Sequence, residues 1–504
     1  LVKKIVCVFL IISYFFVFDF YVKKIGMAWD EPDYLISSQN HFRLIKYFFN
    51  DRAKYQKHYF ELIDWTNHPA LTRWLQGFCY KFIKFYNIPY HNFRLGNLIF
   101  LVIFFIASYY LIFKNFGMDV FIYFLILNLI NPTFIFYLVC GTLDFPIMAI
   151  SLFIAAAYFY DTPKKNIYFI FLIFAFCFGL CTKLNSIIII FICFITSILF
   201  EREKLKYLII ALIIGIFSVI LFYPFLWHNT LINYKNYLIF HLKHFQAYEY
   251  YFFKVYSPNT NPTPFHYPIF YFFVNFAEIT VIFSIFGAVW LLLTKQFFNK
   301  KIFLILCFAG LSIFLFLRPA IPTYNKTRLF STALPFLNII AALFINEIFQ
   351  KPKKFYPKII VVIFFVISLF SFVHTHPHIG SHFNIFLKGG GLKQAENFGL
   401  QIDTWGESLT LDILEFINKN FRYSARVAII GHEPKTAYYL QSINLLRRDL
   451  NFNIEFIIVN FQDYDYIIAL NNKSLWSAEF YQTAKKNILK TDTIEIYEVN
   501  KSSK

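Results

Sequence analysis

Long apolar segments recur along this chain and constrain its fold more than any other sequence feature. They fall between residue 5 and residue 373 and are separated by short polar connections. About 18 consecutive apolar residues are enough for one α-helix to cross the hydrocarbon core of a bilayer. We therefore predict a polytopic α-helical membrane protein with about eleven transmembrane helices. The predicted spans are 5–22, 95–113, 119–139, 145–160, 167–182, 184–200, 207–226, 268–294, 302–317, 329–348 and 359–373.

The basic residues predict the orientation of these spans. Six basic clusters fall on one side if every span crosses, and the positive-inside rule makes that side cytoplasmic. This distribution also argues against a nucleic-acid-binding role, despite a net charge of +18. The first span lacks a small-residue cleavage site after it, which favours an uncleaved helix over a secretory signal. The clusters contain Lys3, Lys4, Lys114, Lys164, Lys165, Arg202, Lys204, Lys206, Lys295, Lys300, Lys301, Lys351, Lys353, Lys354 and Lys358.

Two domains follow from the change in composition near residue 374. Residues 1–373 form the transmembrane domain, with long outer loops at 23–93 and 227–267. Residues 374–504 are more polar, and we predict a small extracytoplasmic α/β domain there. Apolar periodicity predicts helices at 409–418 and 434–441 and strands at 425–430, 454–459, 466–470 and 493–499.

Two adjacent carboxylates, Asp30 and Glu31, follow the first span in the stretch 27–34, MAWDEPDY. Asp followed by Glu-Pro is a good helix start, with Asp as the N-cap residue and Pro in the first turn. However, two charges at the edge of an apolar bundle are costly unless solvated or paired, and such residues are often functional. A carboxylate there has the chemistry of a general base for a hydroxyl group. The residues alone leave both interpretations open.

Three further polar residues lie close to the predicted outer ends of spans or within their breaks. His68 stands in 66–71 (TNHPAL), in the same outer loop as Asp30, and is either a structural hydrogen-bonding residue or part of a site. Asp144 is either the N-cap of the fourth span or a second acid. Lys183 either extends toward the membrane surface or faces an anionic headgroup.

Lys326 and Arg328 add positive charge on the side where the positive-inside rule demands none. A guanidinium presents a fork of donors that matches phosphate. The pair is therefore either a phosphate-binding element or a set of solvated loop cations. Arg94 begins the second span on the same side and fits either role.

A run of histidines follows the last span at His374, His376, His378 and His382. The run has neither nearby cysteines nor the helical spacing of common zinc sites. We therefore predict no metal ligands and no requirement for a divalent metal.

Taken in order, these motifs resemble the GT-C membrane glycosyltransferases of glycosyltransferase family 39 and its relatives. That family includes protein O-mannosyltransferases and lipid A aminoarabinose transferases. The resemblance rests on the Asp-Glu pair after the first span, the His-Pro of the same loop, and 141–146 (GTLDFP) with 179–183 (GLCTK). It covers residues 1–350, and the stretch 376–406 is similar to the tail of a bacterial subgroup.

The resemblance implies a polyprenyl-phosphate sugar as donor and transfer on the extracytoplasmic face of a bacterial inner membrane, with inversion at the anomeric carbon. Its expected partners are membrane lipid, the lipid-linked donor, and a protein, lipid or glycan acceptor; it implies no cofactor. Asp30 would be the catalytic base and Glu31 its assistant. The residues implied for the donor phosphate are His68, Lys183, Lys326 and Arg328, while Asp144 and Arg94 would be acceptor-side or structural.

The main alternative is a multi-pass transporter or flippase of a lipid-linked glycan. Transporters place polar residues at mid-membrane on broken helices, often in two related halves. Here the acids lie at the outer edge, and the sequence has no visible internal repeat. A non-catalytic scaffold or sensor would not need so many spans. The sequence therefore favours a glycosyltransferase.

Overall fold

The computed structural model describes most of the chain. The described residues are 1–62, 68–160, 165–242, 248–256, 261–318, 321, 323–351, 355–403, 405–453, 461–471, 480 and 486–499. The strand predicted at 454–459 lies outside them, as do the first two residues of the 66–71 motif and the basic residues Lys164, Lys353 and Lys354.

Helices dominate the first part of the chain, and the outer loop predicted at 23–93 is itself largely helical. The helix that starts directly after Asp30 is the one that the Asp-Glu-Pro pattern predicts. The first helices are α1 (Val2–Val22), α2 (Glu31–Asn50), α3 (Arg52–Leu62), α4 (Leu71–Phe82), α5 (Pro89–Arg94), α6 (Gly96–Ser108), α7 (Lys114–Phe116), α8 (Met118–Leu129), α9 (Pro132–Val139), α10 (Asp144–Tyr158) and α11 (Lys165–Thr182).

The second half of the bundle continues this pattern, interrupted by a two-stranded hairpin of β1 (Glu249–Tyr251) and β2 (Lys254–Tyr256). A 3₁₀ turn, Arg328–Ala333, leads into α18. The helices are α12 (Ile187–Phe200), α13 (Leu205–Phe222), α14 (Thr230–Leu242), α15 (Tyr267–Asn275), α16 (Glu278–Leu293), α17 (Lys300–Phe314), α18 (Leu334–Gln350) and α19 (Phe355–Thr375).

Each of the eleven predicted spans falls on helical structure within the described residues. Seven described helices are long and apolar enough to cross a membrane, and counting each bent pair as one span gives up to nine. The bent pairs are α8 with α9, at 74°, and α15 with α16, at 118°. The first bend follows from Pro132 at the start of α9, since proline cannot continue the preceding helix. The remaining two predicted spans are the shorter apolar helices at 144–158 and 184–200.

Two helices form the centre of the bundle. Helix α10 packs against α6 and α11, and α18 packs against α8 and α16. Nearly every side chain of α10 is buried, whereas α19 exposes apolar residues such as Val362 and Phe370, as expected for a lipid-facing helix. Asp144 is the first residue of α10, and Arg328 begins the turn before α18. The two central helices therefore carry both residues at their starting ends.

The C-terminal part folds around a five-stranded sheet with the strand order β4-β3-β5-β7-β6. Strand β3 pairs in parallel with β4 and β5, and β7 pairs antiparallel with β5 and β6. Three of the predicted strands correspond to β3, β5 and β7, and both predicted helices are present as α21 and α22. The elements are α20 (Leu392–Asn397), α21 (Leu411–Asn420), β3 (Arg426–Ile430), α22 (Pro434–Ser442), β4 (Asn451–Phe452), β5 (Tyr466–Leu470), β6 (Lys486–Lys490) and β7 (Ile494–Glu498).

This α/β domain packs directly on the loop that carries the two carboxylates. Met27 and Tyr34 share one buried apolar cluster with Leu409 of the tail. The backbone N–H of Gly26 donates to the Glu407 carbonyl at 2.8 Å. A Cβ at Gly26 would lie 2.5 Å from the Leu409 carbonyl oxygen, so only glycine allows this approach. The tail thus fixes the position of the chain that leads into α2.

Candidate active site

Asp30 precedes α2, but its side chain does not cap the helix. The carboxylate instead pairs with the guanidinium of Arg328 and lies 3.5 Å from the Tyr34 hydroxyl. Its side chain is 22% exposed, so it remains accessible to a bound molecule. The helix-start interpretation therefore explains the local backbone, but it does not explain the contacts of this carboxylate.

Glu31 has a different environment. Its carboxylate receives two hydrogen bonds from Arg94, Nε to Oε1 at 2.7 Å and Nη2 to Oε2 at 2.6 Å, and both side chains are buried. The backbone N–H groups of Ala28 and Gly141 also donate to it, at 2.7 and 2.6 Å. Arg94 in turn donates to the Gly26 carbonyl at 2.6 Å. A bidentate pair with these partners holds the end of α1, the start of α2 and the loop before α10 together.

Arg328 links two of the three acids predicted as site residues. Its Nη2 contacts Asp30, and its Nε lies 3.4 Å from Asp144 Oδ2. The other oxygen of Asp144 accepts a hydrogen bond from Lys183 Nζ at 3.0 Å. The result is an alternating chain of charges, Asp30–Arg328–Asp144–Lys183, in which Asp144 is fully buried and Asp30 is the most exposed member. The structure thus brings four of the predicted site residues together.

His68 lies beside this chain of charges. Its ring packs against His241 with a centroid distance of 5.4 Å, and its carbonyl oxygen accepts a hydrogen bond from Arg73. Its Nδ1 is buried and has no hydrogen-bond partner among the described residues. Burial, together with the positive charges of Lys183 and Arg73, holds the pKa of His68 well below its ordinary value. His68 is therefore a neutral imidazole with an unused ring nitrogen.

Lys326 is close to Arg328 in sequence but points elsewhere. Its Nζ donates to the Ile402 carbonyl at 2.7 Å and lies 4.6 Å from the centre of the Phe383 ring. Burial lowers the pKa of Lys326 and raises that of Glu407, which is close enough to interact with it electrostatically. The contacts of Lys326 therefore join the loop before α18 to the C-terminal domain and not to the Asp30 carboxylate.

Three aromatic residues near the charges were not predicted as site residues. The Trp405 ring lies 4.5 Å from the Arg328 guanidinium carbon, and Tyr34 reaches Asp30. Burial raises the pKa of Tyr324 to about 12, and the charges of Arg328, Asp30 and Asp144 all act on its hydroxyl. Trp405 lies in the stretch 376–406, which the sequence analysis identifies by resemblance but gives no role. Its neighbour Thr404 lies outside the described residues.

The histidine run diverges in space. His374 stacks on Phe370, His376 lies against Tyr21, and His382 Nδ1 hydrogen-bonds the Thr375 hydroxyl at 2.9 Å. Within the part of the chain that the structure describes, no group of three His, Cys, Asp or Glu side chains is arranged to hold a metal ion. The contacts of these histidines are those of packing residues.

The site combines a partly exposed carboxylate with two nearly buried cations. The formal charges of Asp30 and Asp144 balance those of Arg328 and Lys183. Such a balanced arrangement lowers the cost of holding charges at the edge of an apolar bundle. An incoming phosphate would compete with Asp30 for Arg328, since both are oxyanions that suit a guanidinium. The chemistry available is therefore anion binding next to a carboxylate that this binding would release.

Nearly the whole chain is similar in fold to a protein of known structure. It superposes on ArnT from Cupriavidus metallidurans bound to undecaprenyl phosphate with a TM-score of 0.56 and 10% identity, over 97% of each chain. The apo state of the same protein gives a TM-score of 0.56 and 11% identity over 98% of each chain. No family model matches the sequence, and the search of curated proteins gives no match. The GT-C fold expected from the motifs is thus confirmed at the level of three-dimensional structure.

Proposed function

We propose that this protein is a membrane glycosyltransferase that transfers a sugar from a polyprenyl-phosphate donor to an acceptor hydroxyl. The observation that carries the proposal is the alternating chain Asp30–Arg328–Asp144–Lys183 at one end of the bundle. The similarity in fold to ArnT, which has been crystallised with undecaprenyl phosphate, supports a lipid-linked phosphate as the anion.

The donor phosphate binds at Arg328 and Lys183 in this proposal. Arg328 offers a planar fork of donors, and Lys183 adds a second positive charge behind Asp144. His68, neutral because of its lowered pKa, contributes a ring nitrogen as a hydrogen-bonding group and not as a charge. Binding of the phosphate displaces Asp30 from Arg328, so that donor binding frees the base.

The proposed reaction is a single displacement. The acceptor oxygen forms a bond to the anomeric carbon while the bond from that carbon to the phosphate oxygen breaks. The bonding electrons leave with the polyprenyl phosphate, whose growing negative charge is stabilised by Arg328 and Lys183. The proton of the acceptor hydroxyl passes to the Asp30 carboxylate. Attack from the side opposite the phosphate inverts the anomeric configuration.

The remaining site residues have supporting roles in the proposal. Glu31 and Arg94 hold Asp30 in place through the buried ion pair. Asp144 orients Arg328 and Lys183. Lys326 fastens the loop that carries Arg328 to the C-terminal domain, so its effect on the donor is indirect. The site faces the extracytoplasmic side, opposite the lysine-rich helix ends.

Binding of undecaprenyl phosphate to the purified protein tests the phosphate site. We expect Arg328→Gln to weaken this binding by about 10- to 100-fold, because a hydrogen bond to a charged group contributes about 1.5–3 kcal/mol. Arg43→Gln, at an exposed position of α2, is the matched control and should leave the affinity unchanged. Equal affinities of the wild type and Arg328→Gln would overturn the phosphate role of Arg328.

A further inference from the structure

A polar cavity lies at the ends of α10 and α11 that are opposite the chain Asp30–Arg328–Asp144–Lys183. It has a volume of about 330 Å³ and is formed by the end of α10, the start of α11, the turn before α13 and the start of α17. Helix α10 has 15 residues and runs from Asp144 to this cavity, a distance of about 22 Å at 1.5 Å per residue. The cavity is thus separate from the proposed active site.

The lining of this cavity is strongly basic. Two acids, Glu201 and Glu203, lie among the described residues that line it. Lys165 and Lys206 make no ion pair with another residue that the structure describes, and both side chains are exposed. The lining lysines are Lys165, Lys204, Lys206, Lys300 and Lys301, which exceed the acids by three formal charges.

Two of these lysines are held in place by ion pairs with Glu201 and are not freely mobile surface side chains. Glu201 is nearly buried and pairs with Lys204 at 3.1 Å and with Lys300 at 2.5 Å. Lys204 also donates to the Tyr158 carbonyl at 3.0 Å and lies 5.3 Å from the Tyr168 ring centre. The second carboxylate oxygen of Glu201 is buried without a hydrogen-bond partner among the described residues. The positive-inside rule explains basic residues at these helix ends, but it does not require them to converge on one aromatic-walled cavity.

An apolar groove lies next to the cavity on the lipid-facing side of α11. It has a volume of about 360 Å³, and its lining includes Phe153, Ile170, Phe174 and Phe178. The ring of Tyr160, which lines the basic cavity, packs on Phe171 of the groove at 5.1 Å between ring centres. The two sites are therefore neighbours along the same helix.

The length of the groove fits one lipid chain in one leaflet. From Ile170 to Phe178 the helix rises about 12 Å, close to the 15 Å that is half of a 30 Å hydrocarbon core. A basic pocket at the helix ends, followed by an apolar groove of this length, matches a phosphate headgroup joined to an acyl chain. We propose that this surface binds one anionic phospholipid of the leaflet opposite the Asp30 site.

Lipid binding to the purified full-length chain in detergent tests the proposal. The probes are dioleoyl phosphatidylglycerol, dioleoyl phosphatidylcholine and inorganic phosphate, with affinity measured by native mass spectrometry and by the shift in melting temperature. The pocket variant is Lys165→Gln/Lys206→Gln/Lys301→Gln, which spares the Glu201 ion pairs. The control variant, Lys4→Gln/Lys295→Gln/Lys358→Gln, removes the same charge from sites outside the cavity. The groove variant is Phe171→Ala/Phe174→Ala.

We expect the wild type to bind phosphatidylglycerol at least tenfold more tightly than phosphatidylcholine. The pocket variant should lose about 10- to 100-fold of this affinity and the control variant less than twofold, because each lysine near an anionic headgroup strengthens binding about fivefold. The groove variant should also bind phosphatidylglycerol more weakly. Equal binding of the two lipids by the wild type, or full affinity in a folded pocket variant, would overturn the proposal. The proposal would also be overturned if inorganic phosphate raised the melting temperature of the wild type and of the groove variant equally, since the pocket would then bind free phosphate.

Discussion

Two adjacent acids at the start of α2 have opposite environments. Successive residues of a helix project about 100° apart, so Asp30 and Glu31 point in different directions. Asp30 meets Arg328 at the accessible side, and Glu31 meets Arg94 in the interior. The sequence analysis gives Asp30 the role of base and leaves Glu31 as its assistant or as a helix-start residue. It could not identify their partners, because each partner is distant in the chain. The contacts of Glu31 support a structural role at the start of α2. The contacts of Asp30 support a chemical role.

Breaking the buried pair should be costly for stability. We predict that Glu31→Gln lowers the free energy of unfolding by about 3–5 kcal/mol, because it leaves the Arg94 charge buried without a counter-charge. Asp30→Asn removes a carboxylate that is 22% exposed and leaves Arg328 beside Asp144, so it should cost less, about 1–3 kcal/mol. Denaturant unfolding of both variants in the same detergent measures the difference. Equal losses in the free energy of unfolding would show that the Glu31–Arg94 pair contributes no more to stability than the Asp30–Arg328 pair.

His68 predicts a specific dependence of stability on pH. Its pKa in the folded protein lies below the value of about 6.5 in the unfolded chain. The unfolded chain therefore binds the proton first, and stability is lost as the pH falls through about 6.5. We expect His68→Gln to lose less stability than the wild type between pH 7.5 and pH 5, measured by melting temperature. The exposed His266→Gln is the control, and a wild-type-like loss in His68→Gln would contradict the prediction.

At the scale of elements, the sequence predicts the positions of the apolar spans, but it predicts only one of the two sharp bends within them. Apolar length is a local property, and all eleven predicted spans coincide with described helices. Pro132 marks the bend between α8 and α9. The 118° bend after Asn275 has no proline or glycine at its break, so a single span at 268–294 was the natural prediction. That bend is set by tertiary packing, including Asn384, whose side chain donates to the Phe276 carbonyl at 2.7 Å.

The tail segment around Gly406 should be sensitive to a single methyl group. Gly406 has φ of +72°, and a Cβ there would lie 2.2 Å from His432, which hydrogen-bonds the Met27 carbonyl. We predict that Gly406→Ala costs about 2–4 kcal/mol of stability, from backbone strain plus the steric clash. Gly389→Ala is the matched control, since Gly389 has φ of +98° with nothing within 4 Å of a Cβ. Thermal unfolding compares them, and equal losses would contradict the contact with His432.

At the scale of the whole molecule, the site depends on contacts between distant parts of the chain. Arg328 and Asp30 are 298 residues apart, and Lys435 of the tail pairs with Asp33 across 402 residues. The sequence identifies such residues as candidates. Which of them pair with each other depends on how the helices pack and becomes visible only in the structure. This is why Lys326 was grouped with Arg328 from its position, although its side chain contacts the tail. The tail is predicted as a separate domain. Its contacts with Asp33 and Lys326 connect it to the two segments that carry Asp30 and Arg328.

The orientation of the bundle gives a further prediction. The Asp30 loop and the C-terminal domain should face one side of the membrane, and the lysine-rich ends the other. Single cysteines introduced at exposed positions Asn50 and Tyr423 should react with a membrane-impermeant maleimide added outside intact cells. Cysteine at Lys295 should react only after the membrane is opened. Labelling of the Lys295 position in intact cells would contradict this orientation.

Sugar transfer by Asp30→Asn is the most direct test of the proposed activity. Membranes containing the wild type or the variant are supplied with polyprenyl-phosphate sugars, and transfer to endogenous acceptors is measured under single-turnover conditions. A positioned general base contributes about 10²–10⁴-fold, so we predict a loss of that size with donor binding retained. Asp33→Asn, in the first turn of α2, is the control and should keep most of the activity. A wild-type rate in a normally expressed Asp30→Asn variant would contradict the assignment of Asp30 as the base.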